Sequence, residues 1–237
     1  MKTAWIAAAA AVMFSAWAAQ AAQPEANADA AQGDSIWNGL EIGTRSIHVE
    51  LREDSRGTGT RTREDNFLGS IDMLDAEQDY APTRLYAQYF FLDFLGIGAS
   101  YDKVEADAAD EGGSDGIVGV DGPIFYLVGR YLNDSAFTPF AEVGMAYYHA
   151  YFEESKDWAD GGARYMDVES TEALVLALGC DYAVTDNLSI NLYARLVDGA
   201  TLDGKHFNSD NPSRPRQVGD FNLDYFGAGL GLKYAFK

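Results

Sequence analysis

Three histidines, one cysteine and a run of carboxylates are the residues of this chain with the most chemistry to offer. His206-Phe207-Asn208-Ser209 sets an imidazole three residues from a hydroxyl. Ester hydrolysis needs such a pair together with an acid that orients the ring. The four residues fall in a long polar stretch and not in a regular element, and no third group joins them by spacing. His149 shares the parity of Met145 and Tyr147 on an apolar face, and His48 sits where the alternation around it changes phase. Cys180 is the sole thiol, so neither an internal disulfide nor a cysteine zinc cluster can form within one chain. Glu105, Asp107, Asp110, Glu111, Asp115 and Asp121 surround Gly112-Gly113 and Gly116 with no intervening Lys or Arg. Oxygen-rich, glycine-turned segments suit Ca²⁺, with Asp107, Asp110, Glu111 and Asp115 as the candidate ligands. Their spacing matches neither an EF-hand nor a Gly-Gly-x-Gly-x-Asp repeat, so a solvated acidic loop is expected instead. Arg52, Arg56, Arg61 and Arg63 alternate with acids and offer phosphate contacts, although a mixed-charge exposed loop explains them as well. No catalytic group, cofactor or resident metal is expected from these patterns.

The 237 residues carry 37 acids against 17 bases, a formal charge of -20, with 47% hydrophobic and 13% aromatic residues. So much apolar surface excludes a wholly disordered acidic chain. The acidic balance excludes a nucleic-acid binder, which needs a basic footprint. Mean hydropathy is -0.20, the value of a soluble protein.

The first 21 residues have the three parts of an export signal: Lys2, an apolar run from Trp5 to Phe14, and small residues ending Ala19-Gln20-Ala21. Cleavage is expected after Ala21 or one residue later, which moves the charge from -20 to -21. Residues 22–36 are small and polar and read as a flexible lead-in.

No later apolar stretch reaches 18 residues, so a membrane helix is excluded on length. Period-two alternation recurs instead. Leu95, Ile97, Ala99 and Tyr101 oppose Gly96, Gly98, Ser100 and Asp102; Leu174, Leu176, Leu178, Cys180 and Tyr182 oppose Ala173, Val175, Ala177, Gly179 and Asp181. Similar splits mark 85–91, 125–131, 143–148, 188–196 and 226–236. The first segment, Trp37 to Leu51, slips phase near Ile47, where a bulge is expected. Tight connections (Leu92-Asp93-Phe94, Asn133-Asp134-Ser135, Thr185-Asp186-Asn187) alternate with long polar ones at about 52–81, 106–122, 153–169 and 198–220. Eight antiparallel strands in an all-β, up-and-down transmembrane barrel follow, spanning 37–237 with the short end toward the periplasm. A count of ten remains open if Asn66 to Leu74 forms an extra hairpin.

The same alternation fits a soluble barrel with its apolar face inward. The polar face decides between them, because it collects Glu41, Arg45, Arg84, Gln88, Asp102, Arg130, Glu142, Asp181, Asn191, Arg195 and Lys233. Facing lipid, charged members would each cost a few kcal/mol near the midplane. Facing inward, in a space just wide enough for side chains, they can pair as a network. Tyr89, Phe91, Tyr131, Tyr147, Tyr151, Tyr182, Tyr234 and Phe236 fall near segment ends on the apolar face, as interfacial girdles do.

At its end, Gly229-Leu230-Gly231-Leu232-Lys233-Tyr234-Ala235-Phe236, the chain resembles the small eight-stranded outer-membrane barrels of Gram-negative bacteria: the OmpA transmembrane-domain, OmpX and opacity-protein group. Gly231, Tyr234 and Phe236 match the glycine and aromatic positions of the signal read by the barrel-assembly machinery. The chain departs from that signal in ending at Lys237 and in carrying Gly229 where a polar residue is preferred. The resemblance implies an outer-membrane location after signal cleavage, a monomer, and as partners outer-membrane lipid, lipopolysaccharide and the assembly machinery. It leaves room for an unidentified extracellular ligand. Lipid A 3-O-deacylases share this architecture and use His-x-Ser with a downstream Glu; His206 and Ser209 are one residue too far apart. A structural or surface-interaction barrel plugged by its own charges is the favoured function, with a narrow passive pore as the alternative and a lipid A enzyme third.

Overall fold

The computed structural model describes residues 37–52, 73–76, 84–110, 113–156, 164–208 and 217–236. The expected export signal and lead-in lie outside them. Twelve strands occur among the described residues: β1 (Leu40–Leu51), β2 (Met73–Ala76), β3 (Arg84–Leu92), β4 (Leu95–Asp110), β5 (Gly113–Arg130), β6 (Phe137–Glu154), β7 (Arg164–Val168), β8 (Thr171–Ala183), β9 (Leu188–Asp198), β10 (Thr201–Asn208), β11 (Gln217–Asn222) and β12 (Tyr225–Ala235). Eight of them close into an antiparallel barrel in the order β1-β3-β4-β5-β6-β8-β9-β12, with β12 pairing back onto β1. The expected eight-stranded barrel is therefore present. β2 adds to β4 beyond the end of β3 and creates no ninth barrel position.

The tight connections define the lower end of the barrel. Asn133 accepts the Ser135 amide at 2.8 Å, and Thr185 Oγ1 accepts the amide of Leu188 at 3.0 Å, two side-chain turns that reverse the chain locally. The ring is sealed at the same end, where the Phe236 amide reaches the Leu40 carbonyl at 2.9 Å and Asn187 Nδ2 reaches the Ala235 carbonyl at 2.7 Å. On the inner wall, glycine makes room for aromatic rings of the next strand. Gly98 lies opposite Tyr126, whose Oη would stand 2.6 Å from any Cβ placed there.

At the upper end several sequence expectations are corrected. The segment 106–122 is not a loop but the crest of a tall hairpin, since β4 runs to Asp110 and β5 starts at Gly113. Likewise, 153–169 contains β7, and 198–220 contains β10 and part of β11. Polar composition read as loop because these strands stand clear of any apolar surroundings on their outer face. Strands β7, β10 and β11 form a separate three-stranded sheet that continues β8, β9 and β12 past interruptions at Glu169–Ser170, Gly199–Ala200 and Leu223–Asp224.

The bulge expected near Ile47 is absent. β1 pairs with β12 without a break from Glu41↔Ala235 to Leu51↔Tyr225. What changes at Ile47 is polarity. Below it the buried side chains are Glu41 and Arg45 and the outward ones include Ile42; above it Ile47 is buried while Ser46, His48 and Glu50 face out. β4 repeats the inversion, with Val104, Ala106 and Ala108 inside and Lys103, Glu105 and Asp107 outside. Alternation keeps its period while the surroundings on both faces exchange, so a change of environment mimics a slip of backbone.

Candidate functional site

The polar lower interior receives a side chain from every barrel strand. A continuous chain of contacts crosses it. Arg130 Nη1 meets Glu41 Oε1 at 2.7 Å; Glu41 Oε2 accepts Gln88 Nε2 at 2.6 Å and Lys233 Nζ at 2.8 Å. Lys233 also pairs with Asp181, whose other oxygen accepts Asn191 Nδ2 at 2.7 Å. Asn191 Oδ1 takes Arg45 Nε at 3.0 Å, and Arg45 Nη2 ends the chain on Glu142 Oε1 at 2.8 Å. The Arg45 guanidinium lies between the rings of Tyr86 and Tyr193, 3.9 Å from each centroid. Such stacking leaves the planar group desolvated yet electrostatically supported.

A second layer sits higher. Asp102 is completely buried and pairs with Arg195, with Arg84 Nη1 at 2.6 Å, and with the hydroxyls of Tyr148, at 3.2 Å, and Tyr225. Above it the interior is mostly apolar: Val118, Val120, Ala150, Leu202, Phe221 and Leu223 are buried there, and so is His206 of β10. The barrel interior is thus divided at Asp102 into an ionic lower part and an oily upper part.

All eleven interior residues singled out by sequence face this space, and the two layers bring them together. Sequence missed Tyr225, which lies one residue before the last alternating segment, and the apolar upper interior, of which Val118, Val120 and Leu202 fall in stretches expected to be loops. His206, expected in a loop, lies in β10 with 1% of its surface exposed; Ser209 is outside the described residues. His149 faces out, 3.4 Å through Nδ1 from Ser170 Oγ. Of the candidate calcium ligands, Asp107 is exposed on the outer face of β4, Asp115 is half-buried in β5, and Glu111 and the Asp110 side chain lie outside what is described. Among the described residues no three His, Cys, Asp or Glu side chains converge as a metal site. Gly231, Tyr234 and Phe236 stand at the lower end of the β12 segment, where the Tyr234 and Phe236 rings meet edge-on at 5.0 Å.

The upper outer surface has its own electrostatics. Asp220 lies directly opposite Asp203 on β10, and burial together with that second carboxyl holds its pKa above the ordinary aspartate value. Burial also raises Asp224, against the pull of the Gly199 and Ala200 amides that its carboxylate accepts at 2.7 and 2.8 Å. Burial would raise Glu105 too, but Lys103 at 2.6 Å and the Tyr151 hydroxyl bring it below the usual glutamate range.

The outward face around the lower barrel is apolar, with Leu85, Ile97, Leu127, Leu192, Leu230 and Leu232 all exposed. No described helix is long and apolar enough to cross a membrane.

No protein-family model matches the chain, and no curated protein matches its sequence. Solved structures do match it. The outer membrane protein OprG of Pseudomonas aeruginosa superposes with a TM-score of 0.65 at 16% identity, covering 84% of this chain and 97% of that one. The outer membrane protein AlkL, determined in lipid bilayers, gives 0.58 at 16% identity over 91% and 97%. The Escherichia coli outer membrane protein W gives 0.53 at 15% identity over 84% and 98%. At such identities the likeness is one of architecture, and by it the chain has the fold of the small eight-stranded outer-membrane barrels.

Proposed function

We propose that this chain is an exported outer-membrane barrel of structural and surface-interaction role, closed to water and ions by its own side chains. The observation that carries the reading is the pairing of charges in the two ionic layers of the interior. Four interior carboxylates (Glu41, Asp102, Glu142, Asp181) meet five cations (Arg45, Arg84, Arg130, Arg195, Lys233), and each has an opposite charge in contact. In an eight-stranded barrel such a network fills the cross-section. The signal is removed after Ala21, the assembly machinery reads the C-terminal strand, and the barrel works as a monomer without cofactor or catalysis. Its tall acidic upper hairpins stand outside the cell, repelling lipopolysaccharide phosphates unless divalent cations bridge them. The affinity with the OmpA and opacity group belongs to the same reading.

Planar-bilayer recording tests closure. Silence at moderate voltage is expected, and steady openings that change on replacing Arg130 or Arg195 would establish the narrow pore instead. Heat-modifiable gel migration in the outer-membrane fraction tests the location; absence from that fraction sinks the reading.

The apolar upper interior favours a second reading, in which a small apolar molecule and not an ion is admitted there. Saturable fluorescence of an apolar naphthylamine dye with protein-containing vesicles, lost in Leu202→Asp, is its test. Non-saturable partitioning equal to that of bare vesicles would remove it.

A further inference from the structure

The upper wall is built in two mechanically different parts. β4, β5 and β6 each run as one strand from the barrel to the upper rim, joined by a ladder from Leu95↔Gly129 to Asp110↔Gly113 that shifts register between Ala108 and Ala109, and by one from Arg130↔Phe140 to Gly116↔Glu154 that passes over Gly122 and Pro123. The other part, the β7-β10-β11 sheet, shares no ladder with the barrel strands, although at its base the Glu169 amide reaches the Asp203 carbonyl and the Leu223 amide the Ala200 carbonyl, each at 2.9 Å. The β6–β8 ladder ends at Tyr148↔Thr171, and among the described residues no ladder joins β6 to β7 above it. Each strand of this sheet reaches the barrel through a break. At the middle break Gly199 has φ +89°, is exposed, and has open space where a side chain would lie. Beside it, the register between the paired strands moves by one residue, from Tyr225↔Val197 below to Thr201↔Asn222 above.

One ionic brace spans the break. Arg52, just beyond β1, pairs with Asp198 at the end of β9 and lies 3.5 Å from Asp224 before β12; its amide donates to the Asp224 carbonyl at 2.9 Å. The Asp224 carboxylate in turn holds the Gly199 and Ala200 amides. Three barrel strands are thereby tied at the single line from which the separate sheet projects. The inner face of that sheet, with Leu202 and Phe221, covers the apolar upper interior.

We propose that the β7-β10-β11 sheet is a hinged flap over the upper interior, pivoting at Gly199–Ala200 and Leu223–Asp224, with Arg52 bracing the hinge. Opening exposes apolar surface, so the closed state dominates until an apolar ligand or surface favours the open one. The flap itself rests on strand pairing and the brace alone; only its use as an entrance rests on the apolar-solute reading.

Native-state hydrogen exchange of the full chain in phospholipid vesicles tests this, because a flap opens as one unit below the global stability. In the unmodified protein, 201–208 and 217–222 are expected to share one opening rate with 164–168, faster than 188–198 and 225–235. Arg52→Gln should speed the three flap strands together by about two- to fivefold, the range a part-exposed ion pair supports, and leave the barrel strands unchanged. Asp224→Asn should do the same. Exchange of flap and barrel strands at one common rate overturns the proposal, as does a variant effect confined to one strand or spread equally over the barrel. Dye binding that fails while the flap strands still exchange as a unit removes the solute reading and leaves the hinge standing.

Discussion

Arg45 and Glu142 meet at 2.8 Å inside the barrel although 97 residues separate them in the chain. Their side chains are 4% and 2% exposed, so each charge depends on the other for solvation. Glu142→Gln, which leaves Arg45 short of its counter-ion, is expected to lower stability by about 3 kcal/mol, whereas the apolar double variant Arg45→Met with Glu142→Leu should cost much less. Urea titration in lipid vesicles followed by tryptophan fluorescence measures both. Equal losses in the two variants would show that packing, not unpaired charge, sets the cost.

Among the described residues Asp102 is the only carboxylate in the upper ionic layer, where it faces Arg84 and Arg195. Asp102→Asn leaves two neighbouring guanidinium groups without a counter-ion and therefore in mutual repulsion. Brief anion-selective openings are expected in planar bilayers from this variant and none from the unmodified chain. Cation selectivity would contradict the assignment.

Gly98 opens the wall for the Tyr126 ring. A methyl group there has no room until the ring moves, so Gly98→Ala should destabilise by about 1–3 kcal/mol. Adding Tyr126→Leu removes the clash, and the double variant should then lose no more than Tyr126→Leu alone. Strict additivity of the two losses would place the strain elsewhere.

The Asp203–Asp220 pair makes the upper hairpin pH-sensitive. Its raised Asp220 pKa means that the folded hairpin holds a proton more tightly than the unfolded chain does. The resulting stabilisation is fully present below the ordinary aspartate value and fades as pH rises through the raised one. Amide protection in β10 and β11 should therefore increase on mild acidification, and Asp203→Asn should flatten that dependence. A profile unchanged by the variant would assign the effect to another group.

Phe236 packs near Trp37, with centroids 6.1 Å apart, as well as against Tyr234. If the last strand serves as the assembly signal, Phe236→Ala should reduce the heat-modifiable fraction in cells more than it lowers the unfolding midpoint of the purified barrel. Equal effects would make the residue a structural anchor only.

The alternation of residues such as Leu95 to Tyr101 or Phe226 to Phe236 was enough to locate the lower parts of the barrel strands and to separate a charged face from an apolar one there. It sufficed because a strand carries its two environments at a fixed period of two. It also supplied the membership of the ionic interior, since lipid excludes such residues from the other face. The pairing was not legible, because Arg45 finds Glu142 and Asp181 finds Lys233 only once the barrel has closed. Nor was the upper half. Ile47, Val104 and Val118 are inward exactly as Glu41 and Asp102 are, yet hydropathy places them on opposite faces. Sequence alone determined the strand period and, in the lower barrel, the chemical character of each face. Which face is inside, and at what height water and oil change places, was decided by closure of the sheet, because burial is a property of the assembled wall and not of any one strand.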